Sequence, residues 1–236
     1  MNRDSSFYLD TRLLRQWISA HLKGKTVLNT FAYTGSLGIA ALVAGATEVT
    51  QLDLNRHFLQ VAKQSAGLNG RKVDVSFYQI ADFWSRINQY KNAGRLFDCV
   101  ILDPPVYAKT DKGTIDIAKN YNKIINKVRP IIADGGTLIT ISNALFQSGQ
   151  DHHSDLLALC EHGYLNLQEI IPVPIDCVGN SGDLATYLPA DPAPYNYATK
   201  ISVLGVKRKA AGTSSTNQLA SNNTARIEIP PYSKPS

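Results

Sequence analysis

The sequence predicts one α/β domain in which helices flank a mostly parallel, seven-stranded sheet. Three observations support this fold class. Apolar segments of strand length alternate with segments of helical period, as is typical of a parallel sheet wound with helices. Glycines stand where helices must end before strands, as Gly24 does before the first strand and Gly135 and Gly136 do before the fifth. The composition, 44% apolar and 18% charged, is that of a globular protein with a substantial core.

In the first half of the chain, four apolar segments of strand length are separated by segments with helical spacing or length. The first of them, TVLNTF, comes soon after Gly24, and the fourth, DCVILD, is an apolar run that ends on an acid. Asp82 precedes the segment FWSRI, a position at which an aspartate caps a helix well. The predicted order is helix 13–22, strand 26–31, helix 36–43, strand 48–53, helix 56–68, strand 74–80, helix 83–93 and strand 98–103.

The second half of the chain continues this alternation and then loses it. The predicted elements are helix 117–132, strand 137–142, helix 153–161, strand 165–173 and strand 198–206. From Lys209 onward the sequence is rich in Ser, Thr, Asn and Ala, with too little apolar surface to offset the entropy cost of ordering. We predict a folded domain of residues 1–208 and a disordered tail of residues 209–236, in which ARIEIPPY is either a docking segment or part of an unstructured terminus.

Several classes of protein are disfavoured by the composition. No stretch approaches the roughly 18 apolar residues that a membrane helix needs, and the N-terminus MNRDSSFYLDTR lacks the apolar segment of a secretory signal. Cys99, Cys160 and Cys177 lie far apart without CxxC spacing, which argues against a disulfide framework or a zinc site. We therefore expect a soluble cytoplasmic protein with reduced thiols, no metal and no membrane partner. The sequence does not predict the oligomeric state.

The net charge of +5 is unevenly distributed. Residues 207–236 hold five basic groups and one acid, a net of +4, so residues 1–206 carry only +1. Between residues 106 and 130, however, six basic side chains accompany only Asp111 and Asp116. This basic segment either contacts phosphate groups or is an ordinary solvated helix face, since three of its lysines repeat every four residues. Its basic members are Lys109, Lys112, Lys119, Lys123, Lys127 and Arg129.

The ends of the first two strands form the pattern of a site for a ribose-bearing cofactor. The first strand leads through the turn NTFAYTGSLGIAA, which contains Gly35, directly into a helix. The second strand ends in QLDLN, so that Asp53 stands 18 residues after Gly35. In open α/β sheets, ligands bind beyond the carboxyl ends of the strands, near the point where strand order reverses. The alternative for Gly35 is a simple strand-to-helix turn.

S-adenosylmethionine (SAM) fits this pattern better than a dinucleotide does. Dinucleotide sites need close backbone approach to a pyrophosphate, which glycines permit, but Phe31 or Ala32 stands at the place of the first glycine. SAM has no phosphate, and an acid such as Asp53 can accept from both ribose hydroxyls and suits the cationic sulfonium. Asp82, just after the third strand, would lie near the adenine amino group, in addition to its capping role.

The segment FDCVILDPPVY indicates a site for a second ligand at the end of the fourth strand. The carboxylate of Asp103 can accept hydrogen bonds, and Pro104 and Pro105 lack N–H groups, so that their carbonyls can face a ligand without competing backbone pairing. Tyr107 offers an aromatic face on which a base can stack. The alternative is a strand terminated by prolines, with Tyr107 merely packing.

Six blocks of the sequence, taken together, resemble a known family. FYLDTR, VLNTFAYTGSLGIAAL, VTQLDLN, FDCVILDPPVY, KNYNKIINKV and GGTLITISN resemble class I SAM-dependent methyltransferases of the large-subunit ribosomal RNA methyltransferase family, whose blocks include YLDxR, NxFSYTG, VDxS, DPPxF and YxxxN. The similarity covers residues 7–207. It implies a Rossmann-like class I methyltransferase fold and SAM-dependent methylation of RNA, as in rRNA processing.

Carried over position by position, the resemblance assigns a role to each candidate residue. Asp10 and Arg12 would line the cofactor mouth, although a surface ion pair at a helix start is an equal alternative for this pair. The acceptor residues would be Asp103, Pro104, Pro105 and Tyr107. The other cofactor residues would be Phe31, Tyr33, Gly35, Asp53 and Asp82.

Two departures from the family limit this transfer of roles. Members that methylate carbon 5 of cytosine use a cysteine after the fifth strand as nucleophile, where this chain has TISNALF with Ser142 and Asn143. Cys177, in DCVGNSGD, is only a weak substitute, so methylation at nitrogen is favoured. Many members also carry an RNA-binding domain ahead of YLDxR, and this chain begins there, so we expect RNA binding to come from the domain itself, from a partner, or not at all.

The sequence leaves three functions open. The first is a SAM-dependent methyltransferase acting on a base, at nitrogen, in ribosomal or other RNA. The second is a methyltransferase that acts on a small molecule or a protein with the same cofactor site, and the third is a SAM-binding protein without turnover.

Overall fold

A computed structural model describes residues 7–178 and 193–208 of the chain. Its strands are β1 (Thr26–Thr30), β2 (Glu48–Asp53), β3 (Tyr78–Ile80), β4 (Phe97–Leu102), β5 (Tyr107–Thr110), β6 (Gly113–Asp116), β7 (Ile132–Ser142), β8 (Leu165–Ile171) and β9 (Lys200–Val206). Its helices are α1 (Arg12–His21), α2 (Ser36–Val43), α3 (Arg56–Leu68), α4 (Phe83–Asn92), α5 (Ile117–Val128), α6 (Gly149–Cys160) and α7 (Ile175–Val178).

Seven strands form one sheet in the order β3-β2-β1-β4-β7-β9-β8. All neighbours from β3 to β7 pair in parallel, and β9 is antiparallel to both β7 and β8. The predicted mostly parallel, seven-stranded α/β fold is therefore confirmed. Strand order reverses between β1 and β4, where Thr30 lies beside Leu102, so the loops that follow these two strands start next to each other.

Apolar side chains cover both faces of the sheet. On one face, Leu14 and Ile18 of α1 pack with Val27 and Ile139. On the other face, Ile87 of α4 and Ile124 of α5 pack in a larger cluster with Phe97. Burial on both faces explains why the central strands are continuous apolar runs rather than alternating ones. None of the helices in the described ranges has both the length and the apolar character needed to span a bilayer.

Several predicted boundaries differ from those observed, each for a local reason. Asp74 caps a 3-10 turn at Val75–Phe77, which delays the third strand. The helix predicted for 117–132 ends at Val128, because a 3-10 turn containing Pro130 follows it, and β7 begins five residues earlier than predicted. Ser148 caps α6 through the backbone N–H of Asp151, so this helix starts before residue 153.

The β5–β6 hairpin was not predicted. It pairs Tyr107–Thr110 with Gly113–Asp116 outside the main sheet. The segment is short and polar, and it follows two prolines, so it lacks the apolar run that identified the other strands. The predicted tail, residues 209–236, lies outside the described residues.

Candidate active site

A cleft of about 590 Å³ lies at the carboxyl edge of the sheet, around the point where strand order reverses. Its walls come from the loops after β1, β2, β4 and β7, from the chain ahead of α1, and from the hairpin. This is the edge at which an open α/β sheet binds its ligands. The structure brings eight of the eleven predicted site residues into this cleft: Asp10, Phe31, Tyr33, Asp53, Asp82, Asp103, Pro104 and Pro105.

The loop after β1 is held in an uncommon backbone conformation. Phe31 and Tyr33 have φ values of 52° and 50°, and Gly35 has a φ of 81°. Non-glycine residues occupy this left-handed region only where the surroundings hold them there. The ring of Phe31 packs 4.7 Å from that of Phe83, and the backbone N–H of Tyr33 donates to Asp53 at 2.8 Å. These two contacts hold the loop in this conformation.

Two glycines allow close packing around the start of α2, Gly35 against α3 and Gly38 against β2. A Cβ atom on Gly35 would lie 2.6 Å from the Cβ of Ala62, and one on Gly38 would lie 2.2 Å from the Nε2 of Gln51. Neither distance is sterically possible without rearrangement. Gly35 does not line the cleft itself, but it sets the turn that brings Tyr33 and Ser36 to the cleft wall.

Asp53 presents an oriented carboxylate at the end of β2. Its two oxygens accept the backbone N–H groups of Tyr33 and Asn55, each at 2.8 Å. A carboxylate offers about four acceptor positions, so these two bonds leave two positions open. That number matches the two hydroxyls of a ribose.

Asp82 has the capping role that the sequence suggested, and it leaves room for the suggested adenine contact. One carboxylate oxygen caps α4 through the N–H of Ser85 at 3.0 Å, so the capping interpretation is confirmed. The other accepts the hydroxyl of Thr110 at 2.8 Å. Because Thr110 belongs to β5, this bond joins the hairpin to the predicted adenine end of the cleft. The adenine contact itself stays a prediction.

Asp10 and Arg12, predicted together at the cofactor mouth, separate in the structure. Asp10 lines the cleft, where one oxygen accepts from Thr199 at 2.8 Å and the other is buried without a hydrogen-bond partner. Arg12 instead pairs with Asp176 of α7 outside the cleft. Arg12 and Asp10 therefore do not form the ion pair weighed for them, since Arg12 pairs with Asp176 instead, and of the two only Asp10 lines the cleft.

Asp103 follows β4 in the acceptor part of the cleft. Burial and, to a smaller extent, the nearby charge of Asp10 raise the pKa of its carboxyl, a hydrogen bond from Asn143 lowers it, and the net pKa is about 7. That bond, from Nδ2 of Asn143 to Oδ1 of Asp103, measures 3.4 Å. Asp103 can therefore exchange a proton near neutral pH.

Tyr107 lies on the outside of the hairpin rather than in the cleft. Its side chain is 62% exposed. Residues alternate along β5, so that Ala108 and Thr110 face the cleft while Tyr107 and Lys109 face solvent. The Tyr107 ring is therefore not part of the cleft wall, and its stacking role stays a prediction.

Sequence reasoning missed Asn143 and the hairpin residues as parts of the site. Asn143 directly follows β7, and since β7 is parallel to β4 and next to it, the two strand ends meet at one edge. This rule could have found Asn143. No cysteine lines the cleft within the described ranges. Cys99 is buried in β4, and burial raises the pKa of its thiol far above the ordinary value, so it is not a nucleophile.

Comparison with known proteins identifies the family. A family model described as S-adenosylmethionine-dependent methyltransferase matches residues 1–155. The chain belongs to this family. Membership confirms the resemblance to SAM-dependent methyltransferases and the predicted cofactor, SAM. The cleft residues fit SAM, since Asp53 has open acceptor positions and one buried oxygen of Asp10 has no hydrogen-bond partner.

Curated relatives agree with this family assignment. The ribosomal RNA large subunit methyltransferase I of Aeromonas salmonicida is 37% identical over 138 residues, covering 58% of this chain and 35% of the relative. That of Photobacterium profundum is 35% identical over 149 residues, covering 61% and 38%. The chain thus spans little more than a third of the length of these curated relatives.

The solved structures share the fold. A protein from Streptococcus mutans described as a SAM-dependent methyltransferase superposes with a TM-score of 0.71 at 21% identity, over 86% of this chain and 50% of that one. The SAM-dependent methyltransferase of Agrobacterium tumefaciens gives a TM-score of 0.61 at 19% identity, over 86% and 63%. At these identities the likeness establishes the Rossmann-like fold alone.

Proposed function

We propose that this methyltransferase transfers the methyl group of SAM to a nitrogen of an RNA base. The observation that carries the proposal is the composition of the cleft. Asp53 and Asp82 lie in one part of it, and Asp103, Pro104 and Asn143 lie in another. The relatives named as ribosomal RNA methyltransferases support RNA as the substrate class.

Asp53 would hold the ribose hydroxyls of the cofactor, Asp82 would face the adenine, and Asp10 would face the rest of the molecule. When bound, SAM supplies an electrophilic methyl group on a sulfonium with an excellent leaving group. The chain must therefore hold the acceptor roughly 3 Å from this carbon and exclude water. The fixed loop after β1 and the hairpin form walls suited to both tasks.

Asp103 would orient the acceptor and take up its proton. Its carboxylate accepts a hydrogen bond from an N–H group of the base, and a pKa of about 7 lets it hold the proton that an N–H acceptor releases on methylation. The carbonyls beside Pro104 and Pro105 can accept further hydrogen bonds from the base edge. Attack by carbon 5 of cytosine is disfavoured, because it requires a thiolate and no cleft residue in the described ranges is a cysteine.

RNA is favoured over a small molecule by the surface next to the cleft. Tyr107 and Lys109 share the solvent face of β5, and Lys119 and Lys123 are exposed on α5. The sequence of α5, IAKNYNKIINKV, contains no acid, so no ion pair within this helix neutralises its lysines. A stacking ring beside such a surface suits single-stranded RNA.

Reversing two of these charges tests the RNA surface. In the double variant Lys119→Glu, Lys123→Glu, RNA affinity should fall, and the dependence of log affinity on log salt should flatten by about 1.4, the value for two lost contacts to a single strand. SAM affinity should not change. The matched control is Lys23→Glu, Lys25→Glu, which makes the same charge change in the exposed loop ahead of β1, at the opposite edge of the sheet. Equal losses in both variants would contradict a specific RNA surface.

The acceptor class can be identified directly. Purified protein with tritiated SAM is offered total RNA, a small-metabolite fraction and total protein, and mass spectrometry of digested RNA nucleosides then identifies the methylated atom. We expect label in RNA, on a base nitrogen. Label in metabolites or protein would support the small-molecule or protein alternative, and tight SAM binding without any transfer would support a protein without turnover.

A further inference from the structure

A buried lysine lies behind the acceptor part of the cleft. Lys200, the first residue of β9, is 1% exposed. Its Nζ donates to the carbonyl of Ala144 at 3.1 Å and to that of Ala198 at 2.8 Å. The ion pairs among the described residues are Arg12 with Asp176 and Arg95 with Glu48, so no carboxylate of this part of the chain pairs with Lys200.

The described groups around Lys200 do not neutralise its charge. His152 is as buried as Lys200, and burial, together with the charges of Lys200 and His153, lowers the pKa of its imidazole to about 4. The imidazole is therefore neutral at pH 7. Tyr195 and Ser202, also buried nearby, hydrogen-bond to each other. Among residues 7–178 and 193–208, the hydrogen-bond partners of the ammonium group are the carbonyls of Ala144 and Ala198.

This arrangement is unfavourable for stability. Removing an ammonium group from water is costly unless a carboxylate pairs with it, and replacement of such groups by apolar side chains of similar volume is often neutral or stabilising. The burial of Lys200 is therefore not explained by the stability of the fold. A charged group at such a position is a candidate for a functional role.

Lys200 fixes a turn that carries a cleft residue. The Ala144 carbonyl that accepts from Lys200 also accepts the N–H of Gln147 at 3.3 Å, which closes a turn after β7. Ala144 is buried, whereas Phe146 at the turn is fully exposed. Asn143, immediately before the turn, lines the cleft and donates to Asp103.

We propose that Lys200 is a positioning residue that holds the turn after β7, so that Asn143 faces Asp103 in the acceptor part of the cleft. The consequence for turnover rests on the proposed function. Lys200 itself does not line the cleft. Its contribution passes through the Ala144 carbonyl to Asn143, and from there to the carboxyl group that contacts the acceptor.

The test compares Lys200→Met with Ser202→Ala, a matched change at another fully buried polar residue of β9. For Lys200→Met we expect an unchanged or higher melting temperature, unchanged SAM affinity, and a kcat for methyl transfer about tenfold to 100-fold lower, the range for a misplaced catalytic group. Ser202→Ala should leave kcat unchanged. In a double-mutant cycle, Lys200→Met and Asn143→Ala should be strongly non-additive, because both act through one contact.

Melting temperature and backbone amide exchange distinguish a positioning role of Lys200 from a purely structural one. A lower melting temperature for Lys200→Met with a normal kcat would show a purely structural lysine and overturn the proposal. Backbone amide exchange in residues 144–147 should be faster in Lys200→Met than in Ser202→Ala, and equal exchange would also overturn it. Since exchange needs no acceptor, it tests Lys200 even if the wild-type chain methylates no RNA, an outcome that contradicts only the proposed function.

Discussion

Replacement of Asp103 by alanine or asparagine should reduce methyl transfer by about 100-fold or more, the range for loss of a group that orients and deprotonates the acceptor. SAM affinity should stay close to the wild-type value, because the predicted cofactor contacts are made by Asp53, Asp82 and Asp10. Binding is measured by calorimetry and transfer by tritium incorporation. Normal turnover in Asp103→Ala would show that the acceptor site has been placed wrongly.

The pH dependence of transfer should report the same carboxyl group. Since the carboxylate is the form that accepts the acceptor's hydrogen bond and proton, transfer should rise with pH through about 7 and then level off. This rise should be absent in the residual activity of Asp103→Asn. A wild-type profile that falls across this range would indicate that the protonated carboxyl acts instead, as a donor to a ring nitrogen.

Stability should change with pH in the opposite direction. The pKa of Asp103 is raised from about 3.9 in an unfolded chain to about 7 in the fold. The folded state therefore binds more protons between these values, and stability falls as pH rises through them. Asp103→Asn should thus be more stable than the wild type above pH about 7, by a few kcal/mol at most, and this difference should vanish near pH 4. Urea unfolding across this range measures it.

The fold and the row of acids could be predicted because they depend on local patterns. Apolar runs that alternate with helical segments define the sheet, and parallel strands place their carboxyl ends at one edge, so Asp53, Asp82 and Asp103 had to lie near one another. Asn143 follows from the same rule applied to β7. Each of these residues is located by its position at a strand end.

What the sequence could not predict depends on how distant elements pack. The long side chain of Arg12 could point to the cleft or to Asp176. Only the position of α7 determines that it pairs with Asp176. The hairpin holds Thr110 against Asp82 through a contact that spans 28 residues. The burial of Lys200 arises where β9, the turn after β7 and α6 meet, and nothing in the local sequence ATKISV indicates it.

Replacement of Asp53 by alanine should weaken SAM binding by about 100-fold or more, since hydrogen bonds to a charged group each contribute about 1.5–3 kcal/mol and two ribose hydroxyls would lose their acceptor. The same change frees the N–H of Tyr33, so the left-handed loop after β1 should relax as well. Asp53→Asn keeps one acceptor oxygen and should bind SAM with intermediate affinity.

The control for Asp53 is Glu161→Gln, which removes an exposed carboxylate just after α6, away from the cleft. It should bind SAM normally. A 2′-deoxyribose analogue of SAM separates a ribose contact from loop relaxation. If Asp53 binds the ribose, Asp53→Ala should lose less affinity for the analogue than for SAM itself, because one of the two hydrogen bonds is already missing. Equal losses for both ligands would mean that Asp53 acts only by holding the loop, and the ribose assignment would be wrong.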